Sequence, residues 1–253
     1  MKEEENKITS KAQAKIIYFE SIDSTNTWAK KNVEQWSQSG VTIVIADTQT
    51  AGRGRFTRTW ISPPKQNIYA TYCFWIETER NDVGHIPQLL ALSAAQILES
   101  LGFDPKIKWP NDLLLNGKKV GGILCETILH ENKRGIICGI GLNVNMPKEM
   151  LDQIDRPATS LLAENGNLFE IKEILEKLNE QFLKNLFLFL LNDFSLFFPE
   201  FKQRSFLKKG DSVRFHDNQN VVEGIFYRLN ADGSIELLIE NNKLKKYFAG
   251  EFI

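Results

Sequence analysis

The sequence predicts a mixed α/β domain up to about residue 206, followed by a small β-barrel. Three observations carry this reading. β-Branched runs such as Val41–Ala46 are interspersed with amphipathic helical stretches such as Ile86–Leu101 over the first part of the chain. Short strand-like segments separated by turn residues fill residues 208–253. The length of 253 residues accommodates one large domain and one small one, and buries a core without disulfide staples.

The elements follow in order. Residues 1–15 read as a polar tail, and Ile16–Glu20 as a strand. Ser24 reads as the N-cap of a helix running to about Trp36. Val41–Ala46 is a strand, and Asp47–Gln66, rich in Thr, Gly, Arg and Pro, is a long loop of the kind that carries function. Asn67–Ile76 returns to strand. Ile86–Leu101 is a helix closed by Gly102, with His85 expected at its surface-exposed start. Ile107–Trp109 is short and extended. Leu113–Leu115 and Lys118–Leu129 flank Asn116-Gly117, the strongest short hairpin signal. Arg134–Val144 is a strand and Glu170–Asp193 a long helix, with Pro199 expected to stop helical structure locally. Phe182–Phe206 reads as packing. After Lys208, strands are expected at Ser212–Phe215, Val221–Leu229, Ser234–Ile239 and Leu244–Phe248, with turns at Asp217-Asn218, Asp232-Gly233 and Asn241-Asn242.

Composition excludes several classes. With 31 Lys+Arg against 32 Asp+Glu, the formal net charge is -1, which argues against nucleic-acid binding through overall charge. Residues 208–253 carry seven Lys/Arg and seven Asp/Glu, so a nucleic-acid-binding barrel has no phosphate footprint there. Cys73, Cys125 and Cys138 form no CxxC pair, and His85, His130 and His216 are isolated, so no metal-ligand spacing is present. The N-terminus lacks an apolar core of a signal peptide, and no apolar run approaches the ~20 residues that span a bilayer. A cytoplasmic protein with no membrane and no nucleic-acid partner is expected.

Four motifs could carry chemistry. Between Asp47 and Glu77 there is no acidic residue, while Arg53, Arg55, Arg58 and Lys65 are basic and Gly52 and Gly54 permit close backbone approach. The stretch is neither a Walker A sequence nor a Rossmann fingerprint. By residue type it reads equally as a solvated basic loop or an anion-binding one. Lys108-Trp-Pro-Asn-Asp112 precedes Gly117-Lys-Lys-Val-Gly-Gly122, and strand alternation puts Lys118 and Lys119 on opposite faces. Gly121-Gly122 inside a strand marks a bulge or a close approach. Gly139 and Gly141 leave one strand face bare, where a ring or a neighbouring backbone could press, with Asn143 and Asn145 at its end. Asp23-Ser-Thr-Asn26 caps a helix or holds a polar ligand group.

In this order, DSTN (Asp23–Asn26), QTAGRGR (Gln49–Arg55), KWPND (Lys108–Asp112), GKKVGGIL (Gly117–Leu124) and GIGLNVN (Gly139–Asn145) resemble biotin protein ligases, as do Ala158-Thr-Ser-Leu161 and the small C-terminal β-domain. The resemblance implies a catalytic domain over residues 16–206. It would be a mixed sheet with helices mainly on one face, like class II aminoacyl-tRNA synthetases. An SH3-like barrel over 207–253 would follow. It also implies that biotin and Mg-ATP give biotinyl-5′-AMP, and that a lysine of a carboxylase's biotin carboxyl carrier domain then takes the biotin. It places Ser24, Thr25, Asn26 and Gln49 around biotin's polar ring, and Gly52, Arg53, Gly54 and Arg55 as a closing loop. Gly121, Gly122, Gly139 and Gly141 would line the biotin slot. Arg55, Lys119 and Asp112 take the catalytic roles, Lys119 also contacting biotin and Asp112 holding Mg²⁺ or orienting Lys119. Arg55, Arg58, Trp60, Lys108, Asn111 and Asn143 would serve ATP. The closing loop is expected to be mobile when empty and ordered with ligand. Thr57 stands where many members have Gly, and with only 22 residues before Asp23 the resemblance is to the ligase-only form, so no DNA-binding domain like that of bifunctional members is expected. A homodimer is left open. The alternative is a lipoate or octanoate ligase or transferase on a related fold.

Overall fold

The computed structural model describes residues 14–56, 58–130, 132–217, 219–240 and 243–253. The tail expected over 1–15 lies outside the described residues as far as Gln13, as do Thr57 and the turn residues Asn218, Asn241 and Asn242.

Among the described residues, seven strands make one mixed sheet: β1 (Lys15–Ile22), β2 (Thr42–Gln49), β3 (Asn67–Glu77), β4 (Lys106–Lys108), β5 (Asp112–Leu115), β6 (Lys118–His130) and β7 (Lys133–Asn143). Their order is β1-β2-β3-β7-β6-β5-β4, with β1 parallel to β2 and β3 antiparallel to both β2 and β7. A separate five-stranded sheet contains β8 (Ser212–His216), β9 (Val221–Leu229), β10 (Ile235–Ile239), β11 (Lys243–Tyr247) and β12 (Glu251–Phe252). Its neighbouring strands all run antiparallel, and lysine-rich β11 lies at its edge, where charge discourages further pairing. The helices are α1 (Thr25–Lys31), α2 (Ile86–Ser100), α3 (Lys148–Leu151), α4 (Leu161–Asn165), α5 (Ile171–Leu191) and α6 (Phe198–Gln203). The mixed α/β fold with a small C-terminal β-sheet is the one the sequence predicts.

The chain forms two compact units. The first takes residues up to Asn81 with 123–153 and 160–175. Its core gathers Ala29 and Trp36 with Val44, Cys73 and Ile137 on one face of the sheet, and Trp28, Val33 and Trp75 pack around them. The second takes 82–122, 154–159 and 176–253. There Leu89, Leu90 and Leu98 of α2 are buried, as are Phe182 and Phe189 of α5, Phe194, and Phe201 of α6.

Local chemistry explains the element ends. Asn116 and Gly117 take φ of 50° and 76°, the left-handed pair that a two-residue hairpin between β5 and β6 needs. Gly102 closes α2 at φ 88°, its N–H donating to the Glu99 carbonyl. Three expectations need correction. The first helix ends at Lys31, not near Trp36: Asn32 leaves helical backbone and its Nδ2 donates to the Trp28 carbonyl at 2.8 Å. Trp36 still reaches the core, where its Nε1 donates to the Ala29 carbonyl at 3.0 Å. Pro199 begins a helix rather than stopping one. It sits in the first turn of α6, where a missing N–H costs nothing. His85 is buried, with its ring stacked 4.4 Å from that of Phe194. The short elements α3, α4 and β12 have too little sequence pattern to be read in advance.

Candidate active site

In the first unit, Ser24 is the N-cap of α1 and its Oγ accepts from the Thr27 N–H at 3.4 Å. The cap sets Thr25 and Asn26 in the first turn, both buried. Gln49 Oε1 accepts from the Thr25 N–H at 2.9 Å, and Gln49 Nε2 donates to Ser62 Oγ at 3.0 Å. Thr71 Oγ1 lies 2.7 Å from Asn26 Oδ1 and 2.8 Å from Thr25 Oγ1. A hydroxyl has one proton, and Asn26 Oδ1 can only accept. Thr71 therefore gives its proton to Asn26, and the one Thr25 hydroxyl proton is shared between Thr71 Oγ1 and Gln49 Oε1, 3.1 Å away. Asn26 Nδ2 then donates to the Leu124 carbonyl at 3.1 Å and to Glu126 Oε2 at 3.3 Å. Buried polar groups in a fully satisfied chain are rigid, which suits reading a small polar ring.

The two strand glycines make room for this chain. A Cβ on Gly139 would lie 2.0 Å from Asn26 Oδ1, and one on Gly141 would lie 2.4 Å from the Trp60 ring. The bare face of β7 is thus filled by Asn26 and by the chain's own indole. Asn143, at the end of this strand, is buried and pairs in register with Asn67 of β3.

The basic loop is folded as a tight hairpin. The Gly54 N–H donates to the Arg58 carbonyl at 2.7 Å, and the Trp60 N–H to the Gly52 carbonyl at 2.9 Å. Gly52 is obligatory, because a Cβ there would meet the Trp60 carbonyl oxygen at 2.4 Å. The Arg55 and Arg58 guanidinium carbons lie 4.9 and 5.8 Å from the centroid of the Phe56 ring at the tip. Arg53 points elsewhere, its two terminal nitrogens reaching Glu126 at 3.0 and 3.2 Å. Burial alone would raise the Glu126 carboxyl. The hydrogen bonds from Arg53 and Asn26, with the charges of Arg53 and Lys30, outweigh it and hold the group below its usual range.

In the second unit, Lys119 Nζ donates to Asp112 Oδ1 at 2.6 Å. Alternation along β6 leaves Lys118 exposed while the Lys119 side chain is one-fifth exposed. The Lys119 backbone is held on both sides: its N–H donates to the Pro157 carbonyl, and its carbonyl accepts from Thr159, each at 2.9 Å. A Cβ on Gly122 would meet Lys119 Cε at 2.9 Å and Nζ at 3.0 Å, so Gly122 gives the lysine head its space. Gly121 lies opposite Leu113, beside a register shift in the β5–β6 pair. Asn111 is buried beside Asp112. Lys108 Nζ donates to the Phe252 carbonyl at 2.9 Å, and burial pulls its ammonium below the usual lysine range despite Asp112 and Glu251 nearby. Trp109 Nε1 donates to the Gly233 carbonyl at 2.8 Å, so the β4–β5 turn is tied to the C-terminal sheet.

The structure thus assembles Thr25, Asn26, Gln49, Gly139 and Arg53 in one set, and Lys119, Asp112 and Gly122 in another. Glu126 and Thr71 were missed in the sequence. An acidic residue inside the apolar run Ile123–Leu129 was the available signal for Glu126. Among the described residues no three His, Cys, Asp or Glu gather as a metal site. Asp112, a single carboxylate with a lysine upon it, suits a magnesium ion arriving on substrate phosphates better than one the chain holds alone. Among the described residues, no helix is long and apolar enough to cross a membrane.

Comparison with known proteins places this geometry. The profile of the biotin/lipoate A/B protein ligase family matches residues 18–143. The bifunctional ligase/repressor BirA of Bacillus subtilis is 31% identical over 242 residues, covering 93% of this chain and 73% of BirA. The biotin–[acetyl-CoA-carboxylase] ligase of Paracoccus denitrificans is 32% identical over 171 residues, covering 64% of this chain and 69% of that protein. The crystal structure of the Aquifex aeolicus biotin protein ligase in complex with biotin and ATP superposes with a TM-score of 0.78 at 31% identity, covering 94% of this chain and 97% of that one. The chain belongs to the biotin/lipoate A/B protein ligase family, and within it to the biotin protein ligases.

Proposed function

We propose that this chain activates biotin with ATP and passes it to one lysine of a biotin carboxyl carrier domain, that of acetyl-CoA carboxylase or a related carboxylase. In the first step a biotin carboxylate oxygen attacks the α-phosphorus of ATP, the bond to the β-phosphate bridging oxygen breaks, and pyrophosphate leaves. In the second, the carrier's neutral ε-amine attacks the acyl carbon, the acyl–oxygen bond breaks, AMP leaves and the nitrogen loses a proton. The first step brings an anion to a polyanion, so its difficulty is electrostatic.

The observation that carries this reading is the Lys119–Asp112 pair. A lysine fixed at 2.6 Å by a carboxylate and pressed on a glycine is a preorganised cation. We assign Lys119 to the carboxylate and α-phosphate oxygens, with Asp112 orienting it. Arg55 is the second cation, delivered by the hairpin. Ser24, Thr25, Asn26 and Gln49 read biotin's polar ring, and Gly52, Arg53 and Gly54 close over it, while Gly121 and Gly122 line its slot and Gly139 and Gly141 shape the slot by seating Asn26 and Trp60 against β7. Arg58, Trp60, Lys108, Asn111 and Asn143 serve the nucleotide. Asp112 would help hold a magnesium ion arriving on the ATP phosphates, and the ion would offset part of their charge. The catalytic domain is assigned to 16–206 and the C-terminal one to 207–253, since the five-stranded sheet uses only residues after 211. We assign the reaction to the cytoplasm, where ATP is abundant.

Cysteine chemistry of the kind used in octanoyl transfer is disfavoured at Cys73 and Cys138, both buried. Burial pushes the Cys73 and Cys138 thiols up, away from the reactive thiolate. Incubation with biotin, ATP and a carrier domain tests the proposal. One biotinyl group on one carrier lysine is expected by mass spectrometry, and an unmodified carrier would contradict it.

A further inference from the structure

We propose that Glu126 is the positioning residue of the arginine hairpin, locking it to the biotin-reading end of α1 and so retaining the reactive adenylate. The proposal rests on the biotin reading above. One carboxylate of β6 serves two elements. Its oxygens take the Arg53 fork at 3.0 and 3.2 Å, and Oε2 also accepts from Asn26 at 3.3 Å. Arg53 belongs to the antiparallel bridge with Thr59 that closes the hairpin, so holding its guanidinium holds the whole turn that carries Arg55. Asn26 is the last member of the buried chain Thr25–Thr71–Asn26, so the same carboxylate feels that chain.

The environment makes Glu126 more than a surface ion-pair partner. Its side chain is 17% exposed, against 42% for Arg53. A planar guanidinium on a carboxylate in two parallel bonds is directional, which a lysine cannot reproduce. Lys30, 52% exposed and 3.4 Å from Oε1, adds charge without direction. A mixed anhydride survives only while water and its own escape are held off, so a latch on the hairpin should govern release more than formation.

The test uses the full chain with biotin and ATP. For Glu126→Gln, the rate of biotinyl-5′-AMP release, read by trapping the free adenylate, is expected to rise about five- to tenfold. That is the fold-change one well-formed charge-assisted pair supports. The biotin KM should rise with it, while kcat of adenylate formation stays within about twofold. Glu126→Asp keeps the charge but is one methylene short, and should recover part of the retention. Lys30→Ala should release the adenylate as the wild type does. Arg53→Gln, at the solvent side of the pair, should likewise speed adenylate release should Glu126→Gln fail to fold. In the double variant the two effects should not add, because both remove one latch. Wild-type release from Glu126→Gln, or fully additive effects, would overturn the proposal. A wild-type protein that forms no adenylate from biotin and ATP would instead overturn the biotin reading beneath it.

Discussion

Lys119 Nζ lies 2.6 Å from Asp112 Oδ1, across the β5–β6 hairpin, in space that exists because residue 122 is glycine. Seven residues separate the two in sequence, and the Asn116-Gly117 turn folds them together. Removing a preorganised cation at developing charge typically costs about a hundred- to a thousandfold in rate. Lys119→Ala and Arg55→Ala are expected to lose biotin-dependent adenylate formation or retention on that scale. Both side chains are partly exposed, so thermal midpoints should move only a few degrees. Gly122→Ala should impair the same step by displacing the lysine head. Pyrophosphate-exchange kinetics beside thermal melts check all three.

Gly141 is expected to be intolerant because of a ring. A Cβ there would stand 2.4 Å from Trp60 Cε2, so Gly141→Ala must expel the indole or strain the β3–β7 pair, at about 1–3 kcal/mol. In a Trp60→Ala background the same substitution should cost much less. Urea denaturation of the four proteins of this cycle is the measurement.

Acid should loosen the first unit through Glu126. Its folded pKa is depressed below the unfolded value of 4.5. The stability it contributes is therefore complete above about pH 4.5 and lost as pH falls through the lower folded value. The groups facing it are Arg53, Lys30 and the side-chain amide of Asn26. Glu126→Gln should flatten the acid limb of stability against pH, measured as urea midpoints between about pH 6 and pH 3.

The hairpin should respond to ligand. Amide exchange within residues 50–62 is expected to slow when biotin and ATP are added together, more than with either alone. Unchanged exchange would remove the lid from the account.

Much of this was legible in the sequence. The Asn116-Gly117 turn demands positive φ twice, and few residues supply it. Ser24 before an apolar periodicity announces a cap. Alternation alone separates Lys118 from Lys119. What was not legible depends on partners distant in sequence. Asn32 ends α1 through its own side chain, yet the spacing of Trp28 and Trp36 reads as one helix. His85 looks like an ordinary helix start until Phe194 supplies the face that buries it. β12 is two residues long and exists only because β8 pairs with it. The bare face of β7 was read as room for a ring or a neighbouring backbone, but that the ring is the chain's own Trp60 emerges only once the hairpin is folded. Glu126 gains its meaning only when Arg53 and Asn26, 73 and 100 residues away, converge on it.

The central question is which acid the chain activates. ATP–pyrophosphate exchange, measured with biotin and with lipoate in parallel, decides it. Exchange that depends on biotin and collapses in Lys119→Ala is the expected result. Exchange with lipoate alone would contradict the account.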